Sequence, residues 1–338
     1  MNPNWRSFLE STDGVFDGDA AELLNFGDAT GELEAATHRT VVVPLTHLAL
    51  IEATGDDAKA FLHSQFTSDI NHLADNQAQH AGWCTAKGRM QASFIAWRQG
   101  DSFFLGLSAD LQDATQKRLQ MFVLRSKVKL INLTDTTIML GLSGPQAEEA
   151  LADAGLPCPT DAMATSSHQG TTVIRLDAVR FIIVAPEAAM ASLWQKLTVK
   201  ARAAGLPAWR WLDIQSAFPL VTLATKEEFV PQMADFEKIG GVSFHKGCYP
   251  GQEIVARTQY LGKVKRHLFR LTSQQPLKAG DVLHSPDNPD QSCGMVMTVA
   301  PSPAGGYEAL AVVQSNFADN IRLGSLQGPV VSAAAVNP

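Results

Sequence analysis

The residues best suited to chemistry lie in one short run, Lys246-Gly247-Cys248-Tyr249-Pro250-Gly251-Gln252-Glu253. A thiol attacks, ligates metals and exchanges disulfides as its thiolate, and a nearby ammonium or a helix N-terminus favours that form. Lys246 stands two residues before Cys248. Gly247 and Gly251 allow close backbone approach and unusual torsions. Tyr249-Pro250-Gly251 reads as a turn entering a helix, with Gln252 and Glu253 in the first helical turn, where a carboxylate is favourable. Spacing alone also fits a glycine-rich turn around a buried cysteine. His245 adds local charge, although a lone histidine is more often a surface or hydrogen-bonded residue than a catalyst.

The elements that must position this run can be followed along the chain. Order is expected to begin with the apolar stretch Thr40 to Ile51. Thr54-Gly55-Asp56-Asp57 offers a turn and an N-cap for a helix carrying Ala58, Phe61, Leu62 and Phe66. Ala81 to Trp97 reads as a hairpin turning at Lys87-Gly88, followed by a strand at Phe103-Phe104-Leu105 and a helix from Ser108 to about Leu124. Strands at Val128 to Leu133, Ile138 to Leu142, Val173 to Leu176 and Phe181 to Val184 alternate with helices after Gly144-Pro145 and Pro186. That order suggests an α+β core of two similar halves. Beyond Gly262, short alternating segments at His267 to Leu271, Gly294 to Val299 and Ala309 to Val313 read as a small antiparallel β-barrel. The expected divisions are a polar leader over 1–38 with one short helix, the core over 39–205, a segment over 206–262 that completes it, the barrel over 263–330, and a disordered tail over 331–338.

The bulk numbers bound the function. A chain of 338 residues exceeds what one core usually holds. A net charge of -7 argues against a protein that binds nucleic acid over its whole surface. No apolar run approaches a membrane-spanning length. The acidic N-terminus reads as neither a signal peptide nor a mitochondrial presequence, which makes the cytoplasm the default compartment. Cys84, Cys158, Cys248 and Cys293 are far apart, so neither a zinc ribbon nor a self-contained iron–sulfur site is expected. Cys84 and Cys293 read as core residues and Cys158 as a loop residue.

The string from Lys246 to Glu253, with Pro250 at its one free position, closely resembles the signature of the YgfZ family of folate-binding proteins. These are relatives of the aminomethyltransferase (T-protein) of the glycine cleavage system. The resemblance extends to Thr46–Asn71, to Leu212-Asp213-Ile214 with Phe218-Pro219, and to Phe229-Val230-Pro231-Gln232. It implies an aminomethyltransferase-like ring of pseudo-symmetric α+β domains closed by a C-terminal antiparallel β-barrel, with a central site for tetrahydrofolate or a derivative. It also implies an accessory role in assembling or repairing iron–sulfur clusters, including those of tRNA-modifying enzymes. Its partners would be a reduced folate and iron–sulfur client proteins or assembly factors, with neither direct nucleic-acid binding nor a membrane. Cys248 would serve either as a redox thiol or as a transient cluster ligand, with no permanently bound metal.

Further residues take their roles from the same resemblance. Trp209 would stack on the folate or pack in the core. Gln215 stands where many relatives carry a pterin-contacting glutamate, and Leu48 where a second tryptophan is expected. Arg257 and Arg266, in a basic cluster with Lys263, Lys265, His267 and Arg270, would capture the glutamate tail of the folate or form a solvated face, with RNA contact as a third reading. Ala92 and Ser93 replace the acid pair of the aminomethyltransferases, which leaves enzymatic activity open. A folate-dependent one-carbon transferase and a non-enzymatic scaffold are the alternative functions.

Overall fold

A computed structural model of the chain describes residues 1–18 and 22–336, so residues 19–21 of the expected leader and 337–338 of the expected tail lie outside the described residues. The elements run α1 (Pro3–Ser11), β1 (Val15–Phe16), β2 (Leu23–Asn25), α2 (Ala29–His38), β3 (Val41–Pro44), β4 (Leu48–Thr54), α3 (Ala58–Gln65), β5 (Ala78–Cys84), β6 (Met90–Gln99), β7 (Ser102–Ser108), α4 (Gln112–Val123), β8 (Lys129–Asn132) and β9 (Thr137–Ser143). They continue with α5 (Ala147–Asp153), β10 (Thr165–His168), β11 (Thr171–Arg175), β12 (Arg180–Pro186), α6 (Glu187–Leu197), β13 (Arg202–Ala203), α7 (Leu206–Gln215) and α8 (Gln252–Tyr260). The last six strands are β14 (Arg266–Ser273), β15 (Val282–His284), β16 (Gly294–Pro301), β17 (Tyr307–Gln314), β18 (Ile321–Leu323) and β19 (Val330–Ala335).

The chain divides into two compact units, each assembled from separate stretches: Met1–Ala58, Leu73–Gln79 and Ile95–Trp209 form the first, and Lys59–His72, His80–Phe94 and Arg210–Pro338 the second. In the first unit a six-stranded sheet runs β10-β11-β12-β9-β3-β13. Its pairs are antiparallel except for β13 beside β3. The strand cores are runs of Val, Ile and Leu, which suit a pleated surface buried between layers. Leu140, Leu142, Val173, Phe181 and Ile183 pack with Met190 and Trp194 of α6. In the same unit β4 lies between β7 and β8.

The expected leader is more ordered than its polar composition suggested. It carries two helices and a short hairpin among the described residues. Asn2 caps α1 by accepting from the Trp5 backbone N–H at 2.9 Å. Trp5 and Leu9, one helical turn apart, enter the core of the first unit, where Trp5 meets Trp194 edge-on at 6.0 Å. Two apolar side chains on one face are enough to anchor a short polar helix when a core receives them.

The second unit ends in a closed barrel of order β14-β17-β16-β15-β18-β19. Alternation fixes its two faces. Ala309, Ala311 and Val313 of β17 point into the barrel core with Leu271, Val296, Ile321 and Val331, whereas Leu310 and Val312 pack outside it with Leu268, Ile214 of α7 and Phe229. The tail expected to be disordered from Val330 is the strand that closes the barrel: β19 pairs with β14 from Ser332↔Thr272 to Ala335↔Phe269. Closure satisfies two strand edges that would otherwise be open.

Candidate functional site

Four features of the second unit hold the Lys246–Glu253 segment. The first lies just upstream of it. The Thr67 hydroxyl donates to the Gly241 carbonyl at 2.6 Å and accepts from the Gly82 N–H at 2.8 Å, and the Ser243 N–H donates to the Thr67 carbonyl at 2.9 Å. A Cβ on Gly241 would collide with the Phe236 ring. Gly241 is therefore a close approach to an aromatic core residue, and Gly240 before it has φ +76°.

The second is Lys246, whose side chain is buried (8% exposed). Its ammonium donates to the carbonyls of His63 and, at 2.5 Å, of Phe66, at the C-terminal end of α3. A cation there compensates the carbonyl dipoles left open at a helix end. The ammonium also lies 4.9 Å from the centroid of the Tyr249 ring. Burial depresses Lys246 to about 8, against the charges of Asp69 and Cys248, which pull it up. The sequence suggests a lysine serving the thiol; the structure shows that its ammonium is also a clamp on the backbone of α3.

The third is the turn into α8. Gly251 has φ +83°, and the Gln252 N–H donates to the Tyr249 carbonyl at 3.2 Å. A Cβ on Gly251 would clash with the Thr85 carbonyl and stand 2.7 Å from the Cα of Gly88, itself at φ +70°. The hairpin tip at Lys87-Gly88 thus packs on the signature turn, a contact that the sequence did not reveal. The fourth is Gln232, fully buried, whose amide donates to the Val255 carbonyl of α8 at 2.8 Å. Tyr249 is buried in this frame, and burial, with a smaller contribution from Cys84, pushes its phenol up.

On this frame Cys248 is free and exposed, as is Gly247. The alternative of a buried cysteine in a glycine-rich turn is excluded for Cys248; the buried thiol nearby is Cys84 at the end of β5, which burial pushes up to about 12. Cys293 is also buried, and Cys158 is exposed. Glu253 is exposed in the first turn of α8, Gln252 is half-buried and His245 is exposed.

The remaining residues singled out from the sequence lie elsewhere. Trp209 belongs to the first unit, is 2% exposed and has its ring against the Gly141 backbone, with the Arg180 guanidinium 5.7 Å from its centroid. Leu48 opens β4 and is half-buried. Gln215, at the end of α7, donates its amide to Glu308 of β17 at 2.7 Å; the same carboxylate accepts from the Trp211 indole at 3.1 Å and the Ser302 hydroxyl at 2.7 Å. Burial pushes the Glu308 carboxyl up, but those hydrogen bonds and the Arg270 charge outweigh it, so the net shift is downward. Arg270 donates to the Gln215 carbonyl at 2.9 Å, and its buried Nε has no partner among the described residues.

The basic cluster read from the sequence is dispersed. Arg257 is exposed on α8, Arg266 reaches the Ser292 carbonyl at 3.4 Å, and His267 meets the Asp235 carboxylate at 2.8 Å. Lys263 and Lys265 are exposed. Alternation along β14 sets His267 on the face opposite to Arg266 and Arg270. Ala92 and Ser93 are fully buried, and the Ser93 hydroxyl accepts from the Val221 N–H at 2.9 Å.

Comparison with known proteins follows the same lines. Residues 20–239 match the GCVT N-terminal domain family. The tRNA-modifying protein YgfZ of Escherichia coli O157:H7 is 34% identical over 233 residues, 68% of this chain and 71% of that protein. The tRNA-modifying protein YgfZ of Shigella boydii serotype 4 is 33% identical over 232 residues, with the same shares covered. Among solved structures, the glycine cleavage system aminomethyltransferase T from Bartonella henselae superimposes with a TM-score of 0.82 at 20% identity, covering 100% of this chain and 97% of that one. The fold is thus aminomethyltransferase-like, with mixed helices and sheets and a closed six-stranded barrel in its C-terminal region. No helix among the described residues is long and apolar enough to cross a membrane.

Proposed function

The chain belongs to the YgfZ family of GCVT-domain proteins, and from that premise we propose that it is a folate-binding accessory protein that supports iron–sulfur cluster assembly or repair, including in tRNA-modifying enzymes. The observation that carries the reading is the exposed, unpaired Cys248 on an otherwise tightly packed turn. A structural cysteine is normally buried, whereas a thiol that must meet a partner has to be accessible. The thiolate would either ligate a cluster in transit or exchange with a client disulfide, and the surrounding contacts favour neither use over the other.

Tetrahydrofolate or a derivative is the proposed small ligand. The second unit offers groups suited to it. Arg270 Nε is a buried donor beside Gln215 without a partner among the described residues, and a pterin carbonyl or a carboxylate would satisfy it. Arg257 and Arg266 remain candidates for the glutamate tail, since guanidinium forks bind carboxylates well. Trp209 would need to leave its packed position to stack on a ligand, which favours a role in supporting α7 from the core. A hydride or one-carbon unit carried by folate would be supplied by the ligand; the residues of this chain would bind and orient it.

Aminomethyl transfer is the less favoured activity. The positions expected to carry acids are fully buried, and Ser93 uses its hydroxyl to hold the backbone at Val221. Neither can manage a proton at a folate nitrogen. The proposed clients are iron–sulfur enzymes or their assembly factors, and the proposed compartment is the cytoplasm, in keeping with four free cysteines.

The deciding experiment combines calorimetric titration with tetrahydrofolate and complementation. Saturable binding weakened by Gln215→Ala, together with loss of client iron–sulfur activity in Cys248→Ala, is the expected result. Full client activity in Cys248→Ala would remove the thiol from the function, and absence of binding at about millimolar folate would remove the ligand.

A further inference from the structure

Helix α4 and the turn after it carry charge and apolar surface that the rest of the fold leaves unused. Residues 114–134 contain Lys117, Arg118, Arg125, Lys127 and Lys129 and neither Asp nor Glu, in a chain of net charge -7. α4 buries Gln112, Thr115 and Leu119, and the Gln116 amide ties it to the Leu130 carbonyl of β8 at 2.9 Å. At 3.6 residues per turn, Lys117 and Met121 stand opposite that buried face, and Arg118 and Phe122 stand on its flank.

Large apolar side chains lie in solvent beside the cations. Leu124 is 86% exposed, Met121 73% and Phe122 46%. Lys117, Arg118 and Arg125 are exposed and have no hydrogen-bond or ion-pair partner among the described residues, whereas Lys127 pairs with Asp56 at 2.9 Å. The turn is held in shape: the Ser126 N–H donates to the Val123 carbonyl at 2.8 Å, and the Lys127 N–H to the Asp57 carboxylate at 2.7 Å. Leu124 has φ +45°, a backbone region that favours glycine and is costly for a leucine. Its side chain is almost wholly in solvent, so packing within the chain does not offset that cost.

We propose that this face docks on an anionic lipid surface, with Lys117, Arg118 and Arg125 at the headgroups and Met121, Phe122 and Leu124 at the acyl boundary. Cations interleaved with apolar side chains on one short stretch suit such a surface. Other occupants fit less well. The phosphates of a nucleic acid would engage the cations but leave Met121 and Leu124 in water. A symmetric contact with a second copy would set like charges against each other. An acidic protein would need a groove shaped to these projecting side chains. A fluid lipid surface admits them without one and presents its charge in any register, which suits unpaired cations on flexible stems. The contact needs no spanning helix, and it replaces the expectation of a protein without membrane contact. It rests neither on folate nor on Cys248.

Sedimentation of the full chain with vesicles of phosphatidylglycerol and phosphatidylcholine in equal parts, against vesicles of phosphatidylcholine alone, tests the inference. Binding to the first and not to the second is expected, weakening as salt rises from about 0.05 to 0.5 M. Arg118→Glu with Arg125→Glu should weaken it by about thirtyfold or more, and Met121→Ser with Leu124→Ser by about tenfold or more. The altered side chains are all exposed, so both variants should keep the wild-type urea midpoint. No binding to the anionic vesicles at about 1 mM lipid would overturn the proposal, as would equal binding by wild type and both variants. Loss in the charge variant alone would reduce the contact to counter-ion attraction and overturn it too. Binding of bulk transfer RNA that the same variants lose, with vesicles ignored, would assign the face to nucleic acid instead. Vesicle binding uses neither folate nor client, so its failure is distinct from failure of the proposed function.

Discussion

Gly251 and Gly88 lie back to back: a Cβ on Gly251 would stand 2.7 Å from the Gly88 Cα, and both residues have positive φ. The signature turn and the hairpin tip are thus one packing unit: the Gly88 backbone requires glycine at 251, and a Cβ on Gly88 would crowd the Ile254 side chain of α8. Gly251→Ala combines a left-handed backbone with a steric clash, so a loss of about 2–4 kcal/mol in chemical denaturation is expected. A loss below about 0.5 kcal/mol would show that the turn can relax without its neighbour.

Lys246→Met removes the donor to two carbonyls at the end of α3. A cost of about 1–3 kcal/mol is expected, because buried acceptors are left unpaired. The pH dependence has a definite sign. Lys246 is near 8 in the folded chain, against 10.5 for an ordinary exposed lysine. Between those values the unfolded chain binds more protons, so wild type gains stability relative to Lys246→Met as pH rises through that window. Parallel urea titrations of the two proteins from about pH 7 to 10 measure it, and a difference that shrinks with pH would contradict the buried-ammonium geometry.

The four thiols should separate into two classes. Cys248 and Cys158 are exposed, and Cys84 and Cys293 are buried. Brief alkylation of the native protein should label the first pair, and labelling of the second should require unfolding, since burial opposes thiolate formation. Early modification of Cys84 would mean that the core around Tyr249 opens far more readily than its packing allows.

Glu308 joins α7 to the barrel through Gln215 and Trp211. Glu308→Ala should cost about 1.5–3 kcal/mol, the range for hydrogen bonds to a charged group. Its folded carboxyl is held below the ordinary value, so this contribution is present above about pH 4.5 and fades as pH falls through the folded value. A stability gap between wild type and variant that persists undiminished at about pH 2 would argue for packing as its source.

Trp209→Ala is expected to act on stability, by about 3–5 kcal/mol, because the ring is fully enclosed beside Gly141. Folate affinity measured at a temperature where the variant is still folded separates core support from direct contact. An unchanged dissociation constant is the expected result.

The local elements were legible because their signals are local. Hydrophobic periodicity and turn residues located α3, the β5–β6 hairpin, β7, α8 and three strands of the barrel. The signature run identified the family and the thiol. The leader and the last strand were misread for one reason. Trp5 and Leu9 sit in a polar helix, and Val331 in an alanine-rich stretch of low strand propensity, so neither segment announces its element; each is ordered by a core whose other members come from other segments.

Sequence by itself determined which residue is the thiol and that glycines must surround it, because both follow from residue type. Tertiary structure alone decided that the Lys246 ammonium clamps α3, that Gly251 faces Gly88, that His267 of β14 meets Asp235, and that the His63 ring stands beside Gly247. Each of these depends on a distance between segments far apart in sequence, and a linear pattern carries no information about such distances until the chain has folded.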